Sequence, residues 1–177
     1  MLPDDLLEVN IDDVSITNVG FALFFKPVGS DSPQVVPIFI GPLETYSISS
    51  ALDGITPQRP NSHDLMISIL KQLDAKVLHV VISGLSGNVF YATIVIQLSD
   101  HLVEVDARPS DSVALALRAG CPIFMHKQVY EDAAVVIGDA DDMIEGEDQA
   151  GSDESSANPS VEQLLQMPPE RRGSDQH

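Results

Sequence analysis

VEVDARPSDSVALALRAGCPIFMH, residues 103–126, holds a strand, a helix start, a helix, its stop and a second strand in succession. Val103, Val105 and Ala107 alternate with Glu104 and Asp106, the period of two that sets an apolar face against a polar one. Glu104 and Asp106 therefore point the same way. Pro109 suits the first position of a helix, where a missing N–H costs nothing, and its ring pushes Arg108 out of the helical region. Ser110 and Asp111 then fall in the first turn, whose free backbone N–H groups favour short polar and negative side chains. Val113 to Leu117 is apolar on every side, which predicts a buried helix. Gly120 suits the left-handed residue that follows a helix end, and a short strand is expected over Cys121–Met125.

Upstream, Leu6 to Thr17 alternates as a strand whose phase slips at Asp12-Asp13, where a bulge is expected. Asn18-Val19-Gly20 turns into a second strand, Phe21 to Val28, and Gly29 to Pro33 turns into a third, Val35 to Ile40. An antiparallel meander is the simplest arrangement. Gly41-Pro42 opens a helix reaching about Leu52, with Gly54 as its stop. Spacings of four put Glu44, Ile48 and Leu52 on one face, so the Glu44 carboxylate stands on the apolar side or bonds the free N–H groups of the first turn. Asn61 and Asp64 make a capping box, with Asp in place of Glu, for a helix on which Leu65, Met66, Ile69, Leu70 and Leu73 form an apolar stripe expected to be core. Ala75 to Ser83 and Val89 to Leu98 read as a hairpin, followed by Leu102–Ala107, and one or two helical turns are expected over 127–135.

These elements predict a single α+β domain over residues 1–138, with an antiparallel or mixed sheet and about three main helices. Residues 139–177 are rich in acid, Gly and Ser and poor in apolar groups, so they read as a disordered acidic tail with a short helix at 161–167. The chain carries a formal net charge of −18. Residues 1–138 hold 16 acidic against 7 basic side chains, and the remainder 11 against 2, so neither part can present a broad basic face to nucleic acid. Contact with a polyanion must be local, weak or mediated by cations. No apolar run is long enough to span a membrane, and the first ten residues lack the basic-then-apolar order of a secretory signal. With a single cysteine, Cys121, the cytoplasm is the expected location.

Three segments share a design, a Pro near a helix start with an acid in the first turn: Pro42 with Glu44, Pro60 with His63 and Asp64, and Pro109 with Ser110 and Asp111. Asp106 and Arg108 stand at the preceding strand end. If these starts converge, they assemble the ingredients of phosphodiester cleavage. Glu44, Asp64, Asp106 and Asp111 would hold Mg²⁺ or Mn²⁺, which would activate water and stabilise charge on the phosphate. His63 would move a proton, and Arg59, Arg108 and Ser110 would hold phosphate oxygens. Against this, Asp64 and Asp111 are each explained by capping, and Arg108 by pairing with Asp106 or Asp111. No zinc-type Cys/His spacing, P-loop, dinucleotide fingerprint or G-x-S-x-G elbow occurs.

DARPSDSVALALRAGCPIF at 106–124 resembles the most distinctive segment of the bifunctional nuclease domain, a bacterial and plant family. PIFIGPLETYSISSAL at 37–52 and RPNSHDLMISILKQLDAKV at 59–77 resemble it in the same order, and the resemblance covers roughly residues 5–130. It implies a nuclease acting on RNA and DNA, with nucleic acid as the partner. The competing expectation is a non-enzymatic regulatory or interaction module in which the same residues stabilise the fold. A third is a small anionic ligand held by converging helix N-termini. An exposed strand edge or helix face would serve self-association as a homodimer.

Overall fold

The computed structural model describes residues 4–136. The expected tail and its short helix at 161–167 lie outside the described residues. A meander opens the chain: β1 (Leu6–Thr17), β2 (Gly20–Pro27) and β3 (Gln34–Ile40) pair antiparallel, and β1 slips register between Ile11 and Asp13, the bulge expected from Asp12-Asp13. Then come α1 (Pro42–Leu52) and α2 (Ser62–Gln72), the hairpin β4 (Ala75–Ser86) and β5 (Val89–Leu98), and the strand β6 (His101–Ala107). The hairpin turns on Gly87 and Asn88 alone, with φ of 54° and 64°, the doubly left-handed turn that matches strand twist. Next are α3 (Pro109–Ala119), β7 (Ile123–His126), the short α4 (Lys127–Ala133) and β8 (Val135–Val136).

All eight strands form one sheet in the order β6-β5-β4-β7-β1-β2-β3-β8. Only β4 and β7 run parallel, so the sheet is mixed and the class is α+β, as expected. β7 joins the β4–β6 meander to the β1–β3 meander, and α3 is the connection that delivers it. Gly120, at φ 65°, ends α3 in the left-handed conformation that only glycine adopts freely. The core fills one face of the sheet: Val9, Leu23, Phe25, Val80, Ile82 and Met125 are fully buried beneath Ile48 of α1 and Val113, Ala114 and Ala116 of α3. Val113 to Ala116 are buried as the composition of the Val113–Leu117 segment requires, and Leu117 is partly buried.

One expectation about burial is corrected. The stripe Leu65, Met66, Ile69, Leu73 on α2 is exposed and is not core. α2 is held instead through His63, Ile67 and Leu70, spaced by four and three. β6 does not bury an apolar face: it is the terminal strand, and Val103 and Val105 are exposed alongside Glu104 and Asp106. Strand period fixes which residues share a face. Whether anything covers that face depends on the neighbouring elements.

Candidate functional site

The three helix starts do converge, and α3 is the element at their centre. Arg108, its N-cap residue, reaches both carboxylates beside it. Its Nε and Nη2 donate to Asp111 Oδ2 and Oδ1 at 2.7 and 3.1 Å, a two-pronged contact, and its Nη1 lies 3.0 Å from Glu44 Oε1 on α1. Asp111 Oδ1 also accepts from His63 Nε2 of α2 at 3.1 Å, and His63 Nδ1 lies 2.8 Å from Ser47 Oγ of α1. An ionised Asp111 can only accept, so Nε2 of the neutral ring carries the proton and Nδ1 accepts from the Ser47 hydroxyl. The chain Glu44–Arg108–Asp111–His63–Ser47 thus crosses all three helices. Burial alone would raise the Asp111 carboxyl, but the hydrogen bonds from Arg108 and His63 outweigh it and hold its pKa below the usual carboxylate range. Hydrogen bonding and charge from Asp111, with a smaller contribution from Glu44, raise Arg108 further still.

A second network lies beneath the first. Arg118, only 10% exposed along its side chain, donates to Asp64 Oδ1 at 2.6 Å, to the Ala114 carbonyl at 2.9 Å and to the Ser47 carbonyl at 3.2 Å. Asp64 also closes the expected capping box, accepting from the Asn61 backbone at 2.9 Å while Asn61 Oδ1 accepts from the Asp64 backbone at 3.0 Å. For Asp64, too, desolvation pulls upward, and the Arg118 and Asn61 hydrogen bonds win, lowering its pKa. Gly41 lets the site close: a Cβ there would collide with Glu44 Oε2, so only a bare backbone lets Glu44 fold back beside Arg108.

The chain of contacts opens on a cleft of about 1060 Å³ between α2 and the β5–β6 hairpin. Ser47, His63, Arg108 and Asp111 line one end, with Asp106 beside them; Met66, Ile69, Ile94 and Val105 line the apolar remainder. Of the residues expected at the site, Glu44, His63, Arg108 and Asp111 touch one another. Asp64 belongs to the underlying brace. Asp106 lines the cleft without an ion pair among the described residues. Ser110 is buried on the other side of Arg108, lining a smaller hollow of about 460 Å³. Arg59 is exposed and lines neither space. Ser47 and Arg118 were not anticipated. Ser47 follows Glu44 by three on α1 and so shares its face, a usable signal; Arg118 in a last helical turn reads as a dipole partner and gives none.

Among the described residues no three His, Cys, Asp or Glu side chains are grouped to hold a metal ion. Glu44 and Asp111 face Arg108, and Asp64 faces Arg118, so their oxygens already have cationic partners. As placed, Glu44, Asp64, Asp106 and Asp111 do not fit a shared Mg²⁺ or Mn²⁺ centre, and no step below passes through one. No helix among the described residues is long and apolar enough to cross a membrane.

Residues 27–138 match the model of the bifunctional nuclease domain. Two Mycobacterium tuberculosis proteins, both described as uncharacterized, Rv1829 of strain H37Rv and MT1877 of strain CDC 1551, are each 36% identical to the chain over 113 residues, covering 64% of it and 67% of their own length. The matched span takes in α1, α2, α3 and every residue of the two networks. The chain belongs to the bifunctional nuclease domain family.

Proposed function

We propose that the protein is a nuclease that hydrolyses phosphodiester bonds in RNA or DNA at the Arg108 end of the cleft. The observation that supports this best is the linear Ser47–His63–Asp111 relay ending beside an arginine whose side chain is 66% exposed. Arg108 is held by carboxylates on two sides yet open to the cleft, so it can bind a phosphate oxygen through its remaining N–H groups. Ser47 can pass its proton to His63 Nδ1 while taking one from an attacking water, and Asp111 then balances the imidazolium. The water oxygen attacks phosphorus, the bond to the leaving oxygen breaks, and that oxygen takes a proton from solvent. Family membership points the same way.

One observation favours a second reading, an interaction module. Each acid of the relay already has a basic partner within the fold, so the cluster also works as a brace for three helix starts, and most of the cleft is apolar. Cleavage of labelled single-stranded RNA and DNA by purified protein separates the two, with Mg²⁺, with Mn²⁺ and with chelator, beside His63→Gln and Asp106→Asn variants shown to be folded. Cleavage that His63→Gln abolishes carries the nuclease reading, and the metal arms show whether a cation is needed. Cleavage equal in all variants, or none under any condition, moves the function to the interaction module.

A further inference from the structure

The apolar part of the cleft is open to solvent. α2 turns Leu65, Met66, Ile69 and Leu73 outward, each between 44% and 60% exposed. Beside it the β5–β6 hairpin forms a floor: Ile94, Ile96 and Val105 line the cleft, with Leu98 and Val103 exposed on the same face. Ile94 is buried against the core, but among the described residues no helix covers Val103 and Val105 as α1 and α3 cover the rest of the core. β6 has no Lys, no Pro and an unbroken register with β5, and its charges, Glu104 and Asp106, stand on the face opposite Val103 and Val105. Together these side chains leave an exposed apolar surface of the kind that marks an interaction site.

We infer that a second copy of this chain covers this surface, each protomer laying its α2 on the β5–β6 floor of the other about a twofold axis. The surface supplies both halves of such a contact, an apolar helix ridge and an uncovered strand floor, which is what an isologous interface requires. The dimensions agree: the 11 residues of α2 span about 16 Å, within the roughly 23 Å of the seven-residue β6. A foreign helix in the cleft would leave Leu65 and Leu73, which do not line it, exposed to solvent. A twofold copy covers them with its own floor. The paired α2 helices run antiparallel, so their dipoles oppose and Lys71 at the end of one approaches the acidic first turn of the other. This inference is independent of the nuclease reading.

Sedimentation velocity of the full chain over a wide range of concentration, in low and high NaCl, tests it. A dimer is expected, and because each chain carries −18 it should tighten as salt rises. Ile69→Asp and Val105→Lys, both at exposed positions, should each weaken it at least about 30-fold, as removal of a central apolar anchor does. Ile16→Asp, at a still more exposed position on β1, should leave it unchanged. Amide exchange on the unaltered protein gives a second readout, with protection of α2, β5 and β6 growing with concentration. A monomer at every concentration overturns the inference. So does a dimer that survives both Ile69→Asp and Val105→Lys, or protection that grows at the β3–β8 edge instead.

Discussion

Asp111 is the residue on which most of the site turns, since its two oxygens serve Arg108 twice and His63 once. Asp111→Asn keeps the shape but loses the charge that sets the His63 tautomer and holds Arg108. We expect cleavage to fall at least tenfold and stability by about 1–2 kcal/mol, as for hydrogen bonds to charged groups, read by the RNA assay and by urea unfolding. Gly41→Ala probes the other end of Arg108. Its backbone conformation suits alanine, and the added methyl meets only the end of a flexible glutamate, so the stability cost should stay below about 1 kcal/mol. Glu44 must swing away, however, and cleavage should drop; unchanged cleavage would remove Glu44 from the positioning of Arg108. The lowered pKa values of Asp111 and Asp64 also fix a pH dependence. Each contributes stability that is full above the ordinary carboxylate pKa of about 4 and is lost as pH falls through the depressed folded-state value. Asp64→Asn should therefore destabilise at pH 7 but match the unaltered protein in strong acid, a convergence that urea titrations at the two pH values would reveal. Glu44, His63 and Asp111 were legible because Pro-marked helix starts place acids in first turns. Arg118 was not, because nothing local shows that a last-turn arginine reaches across to another helix.

Among the elements, α2 shows what a periodic pattern contains and what it omits. Its caps and length follow from Asn61, Asp64 and the apolar spacing, all found where expected. Its facing does not: the densest apolar stripe looks outward over β5–β6, while the seam that docks is His63, Ile67 and Leu70. A hydrophobic stripe says that a face seeks cover without saying whether its own chain provides it. Beside that seam, Arg118 ties the three helices together, binding Asp64 of α2, the Ser47 carbonyl of α1 and the Ala114 carbonyl of α3. Arg118→Leu should cost about 3–5 kcal/mol, the penalty for leaving a partner charge without its counterpart. Arg118→Lys should recover less than half, because an ammonium cannot present the fork that reaches Asp64 and two carbonyls at once. Urea midpoints for the pair would show it. Full recovery by lysine would mean that the charge alone matters and the three-helix brace does not. The parallel β4–β7 pairing was open in the sequence for a related reason, since strand pairs distant along the chain leave no local trace.

For the whole molecule, charge decides how nucleic acid can be held. Residues 1–138 carry only 7 basic side chains, of which Arg118 is buried in the brace, and the rest of the chain adds only 2 to its 11 acids. A strand reaching Arg108 therefore finds one or two phosphate contacts, in a field that repels it elsewhere. Each neutralised phosphate contributes about 0.7 to the salt slope for single strands, so the logarithm of affinity should fall against that of salt with a slope of only about −0.7 to −1.4. Anisotropy of a labelled single-stranded oligonucleotide over a salt series measures this slope. Arg108→Gln should remove about 0.7 of it, whereas Arg59→Gln should leave it unchanged, because Arg59 lies away from the cleft. A slope steeper than about −3 would require a basic surface that the composition of residues 1–138 does not supply, and would place binding elsewhere than Arg108. The opposing salt dependence expected for self-association lets one salt series separate the two equilibria: added salt releases the oligonucleotide while it draws two acidic chains together.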